Sequence, residues 1–121
     1  MKKFIFSLVA VLLAVSLLTT PAFAYVDWQV FGIHVTMVDP SAMPSFIVLT
    51  VDTAVGPCSA GAYIQYDPQG TDATAQQANV KSVLAMLLSA KLSGQTVSLA
   101  GSNTLNSFGR CVVSSARLGN N

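Results

Sequence analysis

The sequence contains no glutamate, a single histidine and a single tryptophan, and only 9% of its 121 residues are charged. Each shortage excludes something. One histidine, His34, cannot build a multi-histidine metal site within one chain. Without glutamate, a paired-carboxylate acid–base site would have to come from the five aspartates alone. Four of them, Asp27, Asp39, Asp67 and Asp72, sit at turn or strand-edge positions, where aspartate bonds local backbone. No cluster of lysine and arginine is present to condense onto phosphate, so nucleic acid is not an expected partner. No serine lies in a Gly-x-Ser-x-Gly elbow, and no phosphate loop, dinucleotide fingerprint, calcium loop or zinc spacing occurs. The expectation is a protein that is not an enzyme and carries no cofactor.

The N-terminus reads as an export signal. Met1-Lys2-Lys3 is basic, Phe4 to Leu18 is apolar, and Ala22-Phe23-Ala24 is a small-x-small cleavage motif. The apolar run of about 15 residues is shorter than the ~20 of a membrane-spanning helix. No cysteine stands at the cleavage point to take a lipid. Cleavage after Ala24 leaves one domain, residues 25–121, in a secreted or periplasmic location. In that stretch Lys81, Lys91, Arg110 and Arg117 face five aspartates, and polarity comes mainly from serine, threonine, asparagine and glutamine. So few charges suit either a surface partly buried against further copies of the chain or a Ser/Thr-rich monomer.

Cys58 and Cys111 are the only cysteines. In an oxidising compartment they have one intramolecular pairing, closing a loop of roughly 54 residues that the chain-entropy model values at about 4 kcal/mol. Two free buried thiols are the alternative.

Hydrophobic periodicity gives the elements. Trp28 to Val38 alternates, with Phe31, Ile33, Val35 and Met37 on one side, and breaks at Asp39-Pro40-Ser41-Ala42-Met43-Pro44. Ser45 to Thr53 and Cys58 to Tyr66 are the second and third strands, and two close reversals favour an antiparallel meander. Thr74 and Gln77 have capping-box spacing. Val80, Val83, Leu84, Leu87, Leu88 and Leu92 then recur as one helical stripe, which Gly94 ends. Gln95 to Ala100 is a fourth strand, Gly101 to Gly109 a loop, and Arg110 to Leu118 a fifth strand. The order β-β-β-α-β-β makes the fold mainly β with one helix. It fits an OB-fold-like five-stranded barrel with the helix plugging one end. A plain sheet covered by one helix is the alternative.

Among candidate binding residues, Trp28, Tyr63 and Tyr66 (with Tyr25) are amphipathic rings that stack on sugars or anchor protein contacts, and Asp27 beside Trp28 can accept hydroxyl hydrogen bonds. Trp28 can equally fill the core. His34 faces away from the apolar stripe and has no cysteine or aspartate at ligand spacing, so it reads as a structural imidazole.

The stretch Asn79 to Val97, a helix ended by Ser93-Gly94 and followed at once by a strand, resembles small exported bacterial proteins. With Cys111 opening the last strand and Ile33-His34-Val35 in the first, the order resembles the B subunits of AB5 toxins, in particular the subtilase-cytotoxin and pertussis-like group. The resemblance implies OB-fold subunits in a pentameric ring, binding to host glycans, and a separate catalytic subunit. Sialic-acid-binding members carry a serine at or just before the first strand. Here Tyr25-Val26-Asp27-Trp28-Gln29-Val30 has none. A stand-alone periplasmic or extracellular domain, binding a protein partner or acting as an inhibitor, is the second reading.

Overall fold

The computed structural model describes residues 26–120. The signal-peptide reading and Tyr25 lie outside the described residues. Six strands and one helix follow in the order β1 (Trp28–Ile33), β2 (Val35–Asp39), β3 (Ile47–Val51), β4 (Ile64–Tyr66), α1 (Ala73–Ser93), β5 (Val97–Leu105) and β6 (Cys111–Leu118). The described residues are thus mainly β with one helix, as the periodicity implies. All six strands belong to one sheet, in the order β1-β5-β6-β4-β3-β2. Its pairs are antiparallel except β4 with β6, which run parallel. β2, β3 and β4 form the expected meander.

The first expected strand is two. Gly32 adopts a positive φ of 67°, open to glycine at little steric cost. The β1–β5 register slips between Val30 and Ile33. β1 therefore ends at Ile33, and β2 begins at Val35 with a different partner. A single residue, His34, separates the strands that stand at opposite ends of the sheet order.

The fourth strand runs longer than expected, through Gly101 to Leu105, because β6 supplies a partner as far as Cys111. Its Gly-Ser-Asn composition reads as loop, but Gly101 meets a packing demand. A Cβ there would run into the Val112 carbonyl and the Trp28 ring. The third strand is shorter than expected. Val55 and Cys58 instead exchange backbone hydrogen bonds of 2.9 and 3.0 Å across a tight turn.

The helix is capped by Asp72, whose Oδ1 accepts from Ala75 N at 2.8 Å, in place of the expected Thr74 box. Gly94, in the left-handed conformation, ends it as anticipated. Its buried face is Val80, Val83, Leu87 and Ala90, with Leu84 and Met86 half-buried beside them. Leu88 is 39% exposed and Leu92 87%, so both leave the expected stripe. α1 packs against β2 and β6. The core it covers includes Ile33, Ile47, Leu49, Ile64, Val97, Leu99 and Val113, all fully buried. Each large aliphatic side chain there contributes roughly 1.5–3 kcal/mol.

Candidate functional site

The candidate binding residues separate into three environments. Asp27 and Trp28 are fastened to β5. Asp27 Oδ2 accepts from Ser102 Oγ at 3.1 Å and from Asn103 N at 2.7 Å. The Trp28 indole donates from Nε1 to the Ser102 carbonyl at 2.9 Å. Its ring lies where a side chain on Gly56 or Gly101 would stand. Both residues thus hold the start of β1 to β5, and the indole N–H is already engaged.

Tyr66 is 2% exposed and offers no face to solvent. Its hydroxyl donates to Asn79 Oδ1 at 2.8 Å, which also accepts from Gln69 N at 2.8 Å. Burial raises the Tyr66 pKa, and the bond to Asn79 opposes the shift. Tyr63, by contrast, is 59% exposed. Parallel pairing of Ile64 with Cys111 puts Tyr63, one residue earlier, level with Arg110. Cys58 and Cys111 form a disulfide, with Cα atoms 6.1 Å apart, that ties the Val55–Cys58 turn to the first residue of β6.

Two groupings were not read from the sequence. The first is His34 with Asp52. The β2–β3 register pairs Val35 with Val51, and its continuation brings these two residues together across eighteen positions of sequence. Asp52 Oδ1 accepts from His34 N at 2.9 Å, and Oδ2 lies 3.0 Å from His34 Nδ1. The Asp52 N–H donates back to the His34 carbonyl at 3.1 Å. The Asp52 pKa is lowered, first by the His34 N–H; burial opposes this, while the His34 ring and the Thr53 hydroxyl add to it. The pair clasps the chain where it passes from β1 to β2. His34 thus has a structural partner eighteen positions along the chain, one that hairpin register sets and spacing does not reveal.

The second grouping is the β5–β6 hairpin tip. Asn106 Oδ1 accepts from Phe108 N and Arg110 N, each at 3.0 Å, and its Nδ2 donates to Gln65 Oε1 at 3.0 Å. Gln65, itself buried, donates to Asp67 Oδ1 at 2.7 Å. This amide chain fixes the tip on β4 and holds Phe108 outward, 69% exposed, with the Arg110 guanidinium 5.2 Å from its ring centroid. At the other end of the same hairpin, Gln95, Thr96, Leu118, Gly119 and Asn120 line an open cavity of about 460 Å3.

Among the described residues no group of three or more His, Cys, Asp or Glu side chains could hold a metal ion, and no helix is long and apolar enough to cross a membrane. Compared with known proteins, the chain matches no family model, no curated protein and no solved structure.

Proposed function

We propose that this is a secreted, non-catalytic binding module of the OB kind that works as a homo-oligomer, similar to an AB5 toxin B subunit. Strand order is the observation that carries the reading. Taking β1 and β2 as one strand bent at His34, the order becomes first-second-third-fifth-fourth and returns to the first. The pair of third and fifth strands is parallel, and the helix lies between the third and fourth. That connectivity is the one expected of a five-stranded Greek-key barrel. The disulfide supports an oxidising compartment outside the cytoplasm.

The ligand reading is a host glycan or a protein partner, engaged through aromatic side chains. Tyr63 is the candidate ring that remains open to solvent, while Tyr66 and Trp28 are committed to packing. Five copies are the number the toxin resemblance favours, with a separate chain supplying any catalysis. Mass measurement of the secreted protein in solution tests the assembly, and a glycan array tests the ligand. A strict monomer at micromolar concentration removes the ring; an empty array removes the sugar.

A second reading, a stand-alone partner-binding domain, draws on the sheet itself. β4, β5 and β6 each have a neighbour on both sides in the sheet order. The stretches that pair on both sides are closed to a further copy, while β1 and β2 end the sheet order and Ser115 to Leu118 of β6 pair with β5 alone.

A further inference from the structure

We infer that the outer face around Tyr63, Phe108 and Arg110 docks a segment of a partner protein in which a carboxylate stands next to an apolar side chain. The inference rests on the reading of this chain as a partner-binding domain, and it needs neither an oligomer nor a sugar. Strand pairing assembles the surface. Ile64 and Cys111 pair in parallel and are both fully buried. Tyr63 and Arg110, one residue earlier on each strand, therefore share the opposite face. Neighbouring strands lie about 4.8 Å apart, so the two side chains rise side by side. The Arg110 guanidinium is 5.2 Å from the centroid of the Phe108 ring, and Leu105 is exposed where the same turn begins. Tyr63, Arg110, Phe108 and Leu105 thus gather at one end of the sheet from two segments far apart in sequence.

The partner's charge follows from Arg110. Among the described residues the ion pair is His34 with Asp52, so Arg110 has no carboxylate within ion-pair distance. The two nearest candidates are engaged elsewhere. Asp67 accepts from Gln65 at 2.7 Å. Asp39 accepts from Ser41 N at 2.9 Å; hydrogen bonds from Ser41 are the main cause of its lowered pKa, and Arg110 is the least. The other described cations stand apart, Lys81 and Lys91 on α1 and Arg117 toward the far end of β6. A guanidinium held over an aromatic face presents its edge to an incoming carboxylate, the pairing for which arginine is suited.

The surrounding polar groups select a protein segment over a sugar. A sugar needs several side-chain partners for its hydroxyls, and those on this face are spent. Asn106 Oδ1 accepts two backbone N–H groups, its Nδ2 donates to Gln65 Oε1, and Gln65 Nε2 donates to Asp67. Thr50, level with Tyr63 on β3, has its hydroxyl 2.6 Å from that of Thr36. What remains open is two aromatic rings, one leucine and one guanidinium, the composition of a protein-binding hot spot. The amide network that consumes the polar groups also fixes the turn, so Phe108 and Arg110 lose little conformational freedom on docking.

The test pans a library of random peptides displayed on phage, at low salt, against the purified protein with its disulfide intact. Selected peptides are expected to share an Asp or Glu beside Leu, Phe or Trp. A fluorescein-labelled synthetic copy of the most enriched peptide is expected to bind Arg110→Gln and Phe108→Ser roughly tenfold more weakly than wild type. Its affinity should also fall as salt rises. Both variants should keep the wild-type circular dichroism and urea midpoint. Changing the peptide's carboxylate to its amide should cost wild type as much as Arg110→Gln does, and should cost Arg110→Gln nothing further. That change on the peptide keeps the test decisive even where a variant fails to fold. Selected peptides without the acidic–apolar pair, or equal binding to Arg110→Gln, overturn the inference. A carboxylated glycan that Arg110→Gln loses, with no peptide selected, overturns the protein partner and leaves a binding module standing. Self-association that Arg110→Gln abolishes, with no peptide selected, makes the occupant a second copy and likewise overturns it. No peptide and an empty glycan array remove the inference together with the reading it rests on.

Discussion

Tyr66 and Asp52 illustrate opposite responses of single residues to pH. Tyr66 is neutral in its buried site, with its pKa raised above the ordinary 10.0 by loss of solvent. The unfolded chain therefore ionises first as pH rises, and stability falls above about pH 10. Tyr66→Phe is expected to lose that residue's share of the alkaline fall. At neutral pH it should cost about 0.5–1.5 kcal/mol for the hydroxyl bond, since Asn79 keeps Gln69 as a donor. Urea melts of both proteins from neutral to alkaline pH check this. Asp52 behaves in the reverse sense. Its folded pKa lies below the ordinary 3.8, so its contribution is present above that value and is lost as pH falls through the lowered one. The stability difference between wild type and Asp52→Asn is expected to shrink between about pH 5 and about pH 2. A difference that stayed constant over that range would show that the His34 clasp does not depend on the carboxylate charge.

Among the elements, the helix shows how far periodicity reaches. Six aliphatic residues at three- and four-residue steps define a stripe wider than the sheet can cover. The sheet buries Val80, Val83 and Leu87 and leaves Leu88 and Leu92 on the flank. Leu87→Asp is expected to prevent folding, because the carboxylate would enter a fully buried position with no partner. Leu87→Ala should cost about 2–5 kcal/mol. Leu92→Asp should stay within about 0.5 kcal/mol of wild type, as a surface change does. Circular dichroism and urea midpoints of the three variants decide the matter. A severe Leu92→Asp would mean that the helix presents a different face to the sheet.

For the molecule as a whole, the disulfide is a covalent constraint set within the core. It joins Cys58 to Cys111 over a sequence separation of 53, linking the turn after β3 to the start of the last strand. Between them lie β4, α1 and β5, so the bridge restricts much of the unfolded chain. Replacing Cys58 or Cys111 by serine is expected to cost about 2–5 kcal/mol. Mass spectrometry of the purified protein under non-reducing conditions should find one cross-linked peptide holding both residues and no alkylatable thiol.

The sequence by itself determined the class of fold, the helix and its Gly94 stop, the meander and the disulfide. These rest on local propensity, on period, or on there being one pairing for two cysteines. What it did not determine depends on neighbours far along the chain. Gly101 reads as loop because glycine has weak strand preference. It is strand because the Trp28 ring, from the start of β1, occupies the space a side chain would take. Asp52 reads as an unremarkable strand end, and only hairpin register delivers it to His34. Of the four aromatic and acidic candidates, Tyr66 turned inward because its position on β4 alternates onto the core face. Tyr63 stayed exposed at the strand's approach. The amide network under the hairpin tip and the cavity were decided by tertiary structure: Gln65 reaches Asn106 from β4, and the cavity joins the start of β5 to the end of β6.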